Sequence, residues 1–267
     1  MKRIWCILLP LFSAVNLFGD FVEDFNSATA LSDTVFYEVF SGRGSIMQPD
    51  AGSAEQGLTT QGSLACSAGG DNELRVFENP DSGAGENRAV APDFVFSDAK
   101  ISGYMGAGIT DAWGSKSTGL ILRANGSGVE QDGYITYCWM TETNFSFALG
   151  VQVDGGVHMD NLIGFSETYA FDARQNNIYA ELTTVGDHIS ASYWRVEADG
   201  HHEFLQTLSG TDSRYSEGHA GLYSYVRSTN SVYFDDVSVM QIPEPSSLGL
   251  CLIFGLGGFA WRKRIRT

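Results

Sequence analysis

Along residues 35–240 the apolar positions recur mostly at every second residue, in short runs rich in β-branched and aromatic side chains. The runs are 35–40, 73–78, 94–104, 119–123, 134–140, 145–153, 178–183, 188–197, 203–208, 220–226 and 232–240. That period is the period of a strand, because successive side chains point to opposite faces. Turn residues punctuate the runs: Asp132-Gly133, Asp154-Gly155-Gly156, Gly186-Asp187, Asp199-Gly200 and Ser209-Gly210. The stretch from Trp194 to Phe204 predicts a hairpin turning at Asp199-Gly200. Two stretches break the rhythm. Residues 42–70 are rich in Gly, Ser, Thr and Gln and predict loop with one or two short strands, and 164–175 leave room for a turn of helix across one sheet. The spacing predicts an all-β antiparallel sandwich. Phe234 and Val237 are three apart, so strict alternation cannot bury both, and a bulge at Asp235-Asp236 is expected.

The ends have a different character. Met1-Lys2-Arg3 is basic, residues 4–12 are apolar and 13–19 are small or polar, the build of a secretory signal peptide spanning 1–19. At the other end, residues 248–261 carry no charge and would span about 21 Å as a helix. That is a thin crossing of a hydrocarbon core of ~30 Å. Arg262, Lys263, Arg264 and Arg266 follow it, and basic residues stay on the cytoplasmic side. Pro243-Glu244-Pro245, the short Gly/Leu-rich span and the basic tail together resemble the PEP-CTERM sorting signal of Gram-negative bacteria. The resemblance covers 243–267. It implies an exosortase and the secretion machinery as partners, with Pro243, Glu244 and Pro245 as recognition residues. It further implies passage through the inner membrane by 248–261, then the cell surface or an exopolysaccharide-rich extracellular matrix.

Between the ends, residues 20–242 make one domain of 223 residues, enough for a sizeable core. Six of the 16 Lys and Arg and one of the 32 acids (Glu244) lie in the terminal segments, so this body carries 31 acids against 10 bases, a formal charge of −21. Such a surface repels nucleic acid and anionic membranes. Of its two cysteines, Cys66 and Cys138, a disulfide is one reading in an oxidising compartment. A buried Cys138 in its strand-like run is the other.

Gly218-His-Ala-Gly-Leu-Tyr223 with Val232-Tyr-Phe-Asp-Asp-Val-Ser-Val239 resembles the closing segment of concanavalin A-like jelly rolls, laminin G-like domains included. The opening Glu23-Asp24-Phe25 resembles their acidic-Phe start, and Gly119–Ala124 with Asp132-Gly-Tyr134 their middle strands. The resemblance implies a two-sheet antiparallel jelly-roll sandwich. It also implies a structural Ca²⁺ tying first strand to last, held by Glu23, Asp24, Asp235 and Asp236 with carbonyl oxygens, since calcium takes six to eight oxygen ligands. Aromatic planes can stack on the apolar C–H faces of sugars, which makes Trp113, Tyr134 and Trp139 candidate glycan contacts among a wider set that includes Tyr193 and Trp194. Tyr193 and Trp194 must face opposite ways, so only one of them is core. No catalytic residue is assigned. There is no His-Glu-x-x-His, no Gly-x-Ser-x-Gly, and no Glu-x-Asp-x-x-Glu run that would set two carboxylates on one strand face. The expectation is an exported, non-catalytic, lectin-like sandwich with a glycan-binding or structural duty. A diverged glycoside hydrolase or polysaccharide lyase, or a structural adhesin binding protein, stands as the alternative.

Overall fold

The alternating runs fold as antiparallel strands in two stacked sheets. A computed structural model describes residues 20–23, 35–36, 38–41, 45–50, 73–78, 85–108, 116–126, 132–141, 143–153, 156–172, 176–197, 199–226 and 231–243. In chain order the strands are β1 (Phe21–Glu23), β2 (Glu38–Ser41), β3 (Ser45–Asp50), β4 (Glu73–Glu78), β5 (Gly85–Val90), β6 (Ala99–Gly108), β7 (Lys116–Asn125) and β8 (Asp132–Met140). They continue as β9 (Asn144–Val153), β10 (Gly156–Phe165), β11 (Tyr169–Ala170), β12 (Asn177–Val185), β13 (His188–Val196), β14 (His202–Thr211), β15 (His219–Val226) and β16 (Ser231–Gln241). One sheet, here sheet A, runs β14-β13-β12-β6-β16-β4-β3, with β1 also on β16. Sheet B runs β10-β9-β8-β7-β15-β5-β2, with β11 on β9. This is the sandwich expected of the pattern, and the two-sheet antiparallel jelly roll that the resemblance implied.

The core lies between the sheets, and alternation fills it. On β12, Ile178, Ala180, Leu182 and Thr184 are buried while Tyr179, Glu181 and Thr183 face away. On β13, Ile189, Ala191 and Tyr193 are buried and Trp194 lies half-buried on the other face, as the opposition of Tyr193 and Trp194 requires. Tyr193 crosses the sandwich. Its ring stacks on Phe147 at 3.8 Å and its hydroxyl donates to Ala148 O at 3.0 Å, so its one polar atom is satisfied inside the core. Burial pushes its pKa well up. Cys138 is wholly buried beside it on β8, and burial pushes up that thiol also. Cys66 lies outside the described residues.

The bulge sits where the spacing of Phe234 and Val237 placed it. Register between β16 and β6 shifts between Asp235 and Ser238, and Asp236 takes φ 46°. Phe234 and Val237 are both fully buried as a result. The bulge is also where β16 changes neighbours, from β4 along Ser231–Phe234 to β1 along Val237–Val239. The β13–β14 hairpin closes as expected, with Gly200 at φ 84° and its N–H donating to Glu197 O. Of residues 164–175, the described part carries the two-residue strand β11, and Asn176 N–H then donates to Asp172 O at 2.8 Å, the i+4 to i bond of a single helical turn; 173–175 lie outside the described residues. Strands β5 and β10 were not anticipated, because Gly85-Glu-Asn-Arg88 and Gly156–Asp160 carry too few apolar residues to show a period.

Candidate functional site

The outer face of sheet A carries an aromatic row that crosses four adjacent strands. Tyr104 on β6 pairs with Tyr179 on β12, Tyr179 with Trp194 on β13, and Trp194 with Phe204 on β14. Register therefore sets the four rings side by side, at centroid separations of 5.0, 5.5 and 5.6 Å. The planes are inclined by 58°, 59° and 64°, tilted in the first two pairs and edge-to-face in Trp194–Phe204. Tyr104, Tyr179 and Trp194 are half-buried by one another, and Phe204 on the edge strand is 56% exposed. A one-residue bulge in the β13–β14 pairing, between Tyr193 and Trp194, brings Phe204 opposite Trp194. His202 leans over the Tyr104 and Tyr179 rings at 5.7 and 5.5 Å, its Nε2 3.3 Å from Tyr104 Oη. Neighbouring Glu203 turns instead to Arg195, so the His201-His202-Glu203 run diverges.

A second row, entirely polar, lies beside the first on the same face. Ser102, Glu181, Ser192 and Thr207 stand in register across the same four strands. Ser192 and Thr207 hydroxyls are 2.7 Å apart, and Lys100 Nζ meets Glu181 Oε1 at 3.2 Å. Burial and the Glu181 carboxylate raise the Tyr179 pKa, so its hydroxyl stays a neutral donor, here 3.5 Å from Glu181 Oε1. An apolar stripe bordered by a stripe of hydroxyls and a carboxylate is chemically matched to a sugar, whose ring has apolar C–H faces and hydroxylated edges.

The outer face of sheet B is built differently. Val90, Ile121, Ile135 and Tyr223 on this face are buried and form a second apolar cluster. Arg88 lies over the Tyr223 ring at 5.8 Å, and with the Gln152 amide turned to present its oxygen, Arg88 Nε and Nη2 donate to it at 3.1 and 3.3 Å. Arg88 on β5 and Gln152 on β9 are four strand steps apart, about 19 Å on a flat sheet. Their meeting shows that sheet B curls towards its outer side. Trp139 is half-buried there, 4.1 Å from Tyr137 and 5.6 Å from Phe165, which is 51% exposed on β10. Tyr134 is a correction to the sequence reading. It points into the core with no exposure, and its hydroxyl donates to Asp212 Oδ1 at 3.0 Å, which leaves no face for a sugar. Trp113 lies outside the described residues.

At one end of the sandwich a cleft of about 430 Å³ is lined by Ser97, Asp98, Arg123, Gly186, Asp187, Ser216 and Glu217. Arg123 forms its floor. It is 2% exposed, sits at φ 53° where β7 departs from regular register, and fans out over two other segments, at 97–98 and at Tyr215. Its Nε donates to Ser97 O at 2.7 Å, Nη1 to Tyr215 O at 2.8 Å, and Nη2 to Asp98 Oδ1 at 3.2 Å. Asp98 Oδ1 also accepts Gly186 N–H at 2.8 Å. Nearby, burial alone would raise the Asp212 pKa. The side chain and backbone N–H of Arg214 and the Tyr134 hydroxyl all donate to that carboxylate and hold it below its ordinary value. Tyr215, half-buried and facing the Asp132 carboxylate, is pushed up to about 12. These contacts lock loops together; the cleft is a braced junction with carboxylates on its rim.

Of the expected calcium ligands, Glu23 stands on β1 opposite Val237, one residue along β16 from Asp236. Glu23 Oε2 accepts Val35 N–H at 2.9 Å, and Asp235, 2% exposed, turns Oδ1 onto Asp236 N–H at 2.8 Å. Asp24 lies outside the described residues, and among those described no three His, Cys, Asp or Glu side chains group as a metal site. Pro243 is exposed just past β16, while Glu244, Pro245 and the rest of the tail lie outside the described residues.

No family model matches the chain, and no curated protein matches it. Among solved structures it is similar to the exoplasmic/lumenal domain of VIP36 in a Ca²⁺/Man3GlcNAc-bound form, at 10% identity and TM-score 0.48, covering 84% of this chain and 91% of that one. It is also similar to the carbohydrate recognition domain of Emp46p in a potassium-bound form, at 8% identity and TM-score 0.48, covering 85% and 99%. A lectin from Bauhinia forficata in complex with GalNAc shows 8% identity and TM-score 0.42, covering 83% and 97%. These are likenesses of general architecture, and nothing about this chain's ligand rests on them.

Proposed function

We propose that this chain is an exported, exosortase-sorted protein of the cell surface or extracellular matrix whose sandwich binds glycan without transforming it. The observation that carries the binding is the paired stripe on sheet A: Tyr104, Tyr179, Trp194 and Phe204 beside Ser102, Glu181, Ser192 and Thr207. Stacking supplies attraction and the polar row supplies orientation, the division of labour that small-molecule sites use. The sorting part rests on Pro243-Glu244-Pro245, the uncharged span and the basic tail. An exosortase would release the body outside the inner membrane.

The test is a polysaccharide pull-down with the wild-type protein and Trp194→Ala, with and without EDTA, assaying reducing-end release in the same tubes. Binding that Trp194→Ala abolishes, without sugar release, is the expected result. Wild-type protein that retains no polysaccharide sinks the proposal. For sorting, removal of 243–267 should send the protein to the medium or leave it in the periplasm instead of at the surface. The cleft supports a second reading, since Asp98, Asp187 and Glu217 line it and glycoside hydrolysis needs two facing carboxylates. Against it, Asp98 Oδ1 is already engaged twice. Sugar release lost in Glu217→Gln would favour that reading.

A further inference from the structure

From the direction, length and charge of the sheet A stripe we infer that its ligand is a neutral, linear glycan, gripped along a stretch of about four sugars with its chain axis running across the strands. The inference rests on the glycan-binding reading above and narrows it to one ligand class.

Direction comes first. Tyr104, Tyr179, Trp194 and Phe204 are one residue from each of four neighbouring strands, so the row lies perpendicular to the strands. The polar row runs parallel to it, two residues away along β6, β12 and β13 and three along β14, where the bulge adds a residue. A sugar chain lying along the aromatic row keeps one edge over Glu181, Ser192 and Thr207, while Ser102, 5% exposed, lies beneath the surface at the inner end of the row. Laid along a strand, the chain would leave the aromatics after a single residue.

Length follows from the sheet. Tyr104 to Phe204 spans three strand steps, roughly 14 Å at the usual inter-strand spacing. An extended glycan advances one residue in close to one such step, so the row spans about four sugars, with His202, set over Tyr104 and Tyr179, forming part of the surface that meets them. A single sugar touches one or two rings and gains correspondingly little. Phe204 stands on β14, the edge strand, so the stripe opens sideways at that end.

Charge selects among linear glycans. The cation beside the stripe, Lys100, is held by Glu181. The body carries −21, so a polyuronate or sulfated chain approaches against a repulsive field. A neutral chain meets no such barrier, and Glu181 accepts from its hydroxyls.

The experiment is titration calorimetry of the full chain with neutral gluco- and xylo-oligosaccharides from monomer to octamer, and with polygalacturonate and alginate fragments of the same lengths. Affinity should climb to the tetramer, by about tenfold or more over the dimer, and level off beyond it. Anionic fragments should bind at least about tenfold more weakly than neutral ones at low salt. Trp194→Ala and Phe204→Ala should each weaken tetramer binding by about tenfold. Phe204→Ala should move the plateau to shorter chains. Phe165→Ala, on the sheet B face, should change nothing. Thermal melts check that each variant folds; Phe204 is exposed enough that its loss leaves the fold standing. Binding that saturates at one or two sugars, prefers anionic chains, or survives both sheet A substitutions overturns this inference while leaving glycan binding in place. Absence of binding to every sugar overturns the glycan reading itself and this inference with it.

Discussion

Replacing Arg123 by Met keeps most of the side-chain volume and removes every N–H of the guanidinium. Three acceptors lose their donor: Ser97 O, Tyr215 O and Asp98 Oδ1. Each buried acceptor left unsatisfied costs about 1–3 kcal/mol, and breaking a buried ion pair by removing one partner costs about 3–5 kcal/mol. These figures overlap and do not add, because the Asp98 contact is counted in both. Access to water decides between them. The cleft of about 430 Å³ beside the guanidinium lets water reach some of the orphaned oxygens, so the low end, about 3 kcal/mol, is expected. Typical stabilities are about 5–15 kcal/mol, so this is a large share. Urea denaturation should show a lowered midpoint with unchanged slope, and Tm should fall by about 6–12 °C for a domain of this size. Arg123→Lys keeps the charge but loses the fork, and should recover less than half of the loss. A double-mutant cycle with Asp98→Asn should show coupling above about 0.5 kcal/mol. A loss under about 1 kcal/mol for Arg123→Met would refute the picture of a clamp joining three segments.

Other outcomes follow from the same geometry. At Gly218 an added Cβ would lie 2.5 Å from Arg123 C and 2.6 Å from Ala124 O, both backbone atoms, so Gly218→Ala should lose more than about 2 kcal/mol, read by urea denaturation. Asp236 at φ 46° pairs an acceptable residue with a left-handed turn, so Asp236→Val should lower Tm more than Asp236→Asn does. Asp212 has a folded pKa below the ordinary carboxylate value, so its contribution is present above about pH 4 and disappears as pH falls through the lowered value. Asp212→Asn should therefore bring the variant and wild-type melts closer together below that pH. Glycan binding should persist in EDTA, because the stripe meets sugar with rings and hydroxyls and its Glu181 carboxylate is already held by Lys100; loss of binding on chelation would show that an ion supports it, with Asp235, in register with Tyr104, the nearest expected ligand.

What the sequence determined by itself was local. Period-two alternation and the Gly and Asp turns marked most strands, opposed Tyr193 to Trp194, and located the bulge between Phe234 and Val237, because side-chain direction follows from position within one strand. Strands β5 and β10 escaped it, since paired neighbours hold a segment extended even where its own side chains carry no pattern. Of the candidate site only Trp194 was legible, as one of a wider set of aromatics. Tyr104, Tyr179, Trp194 and Phe204 are scattered over 100 residues of sequence, and only the register of β6, β12, β13 and β14 sets them side by side. Tyr134 looked equally eligible for a sugar, and the tertiary structure put it under Arg123 with its ring in the core. Alternation separates the two faces of a strand, but which face looks outward, and which residues of other strands stand beside it, is decided only when the sheets pair and pack.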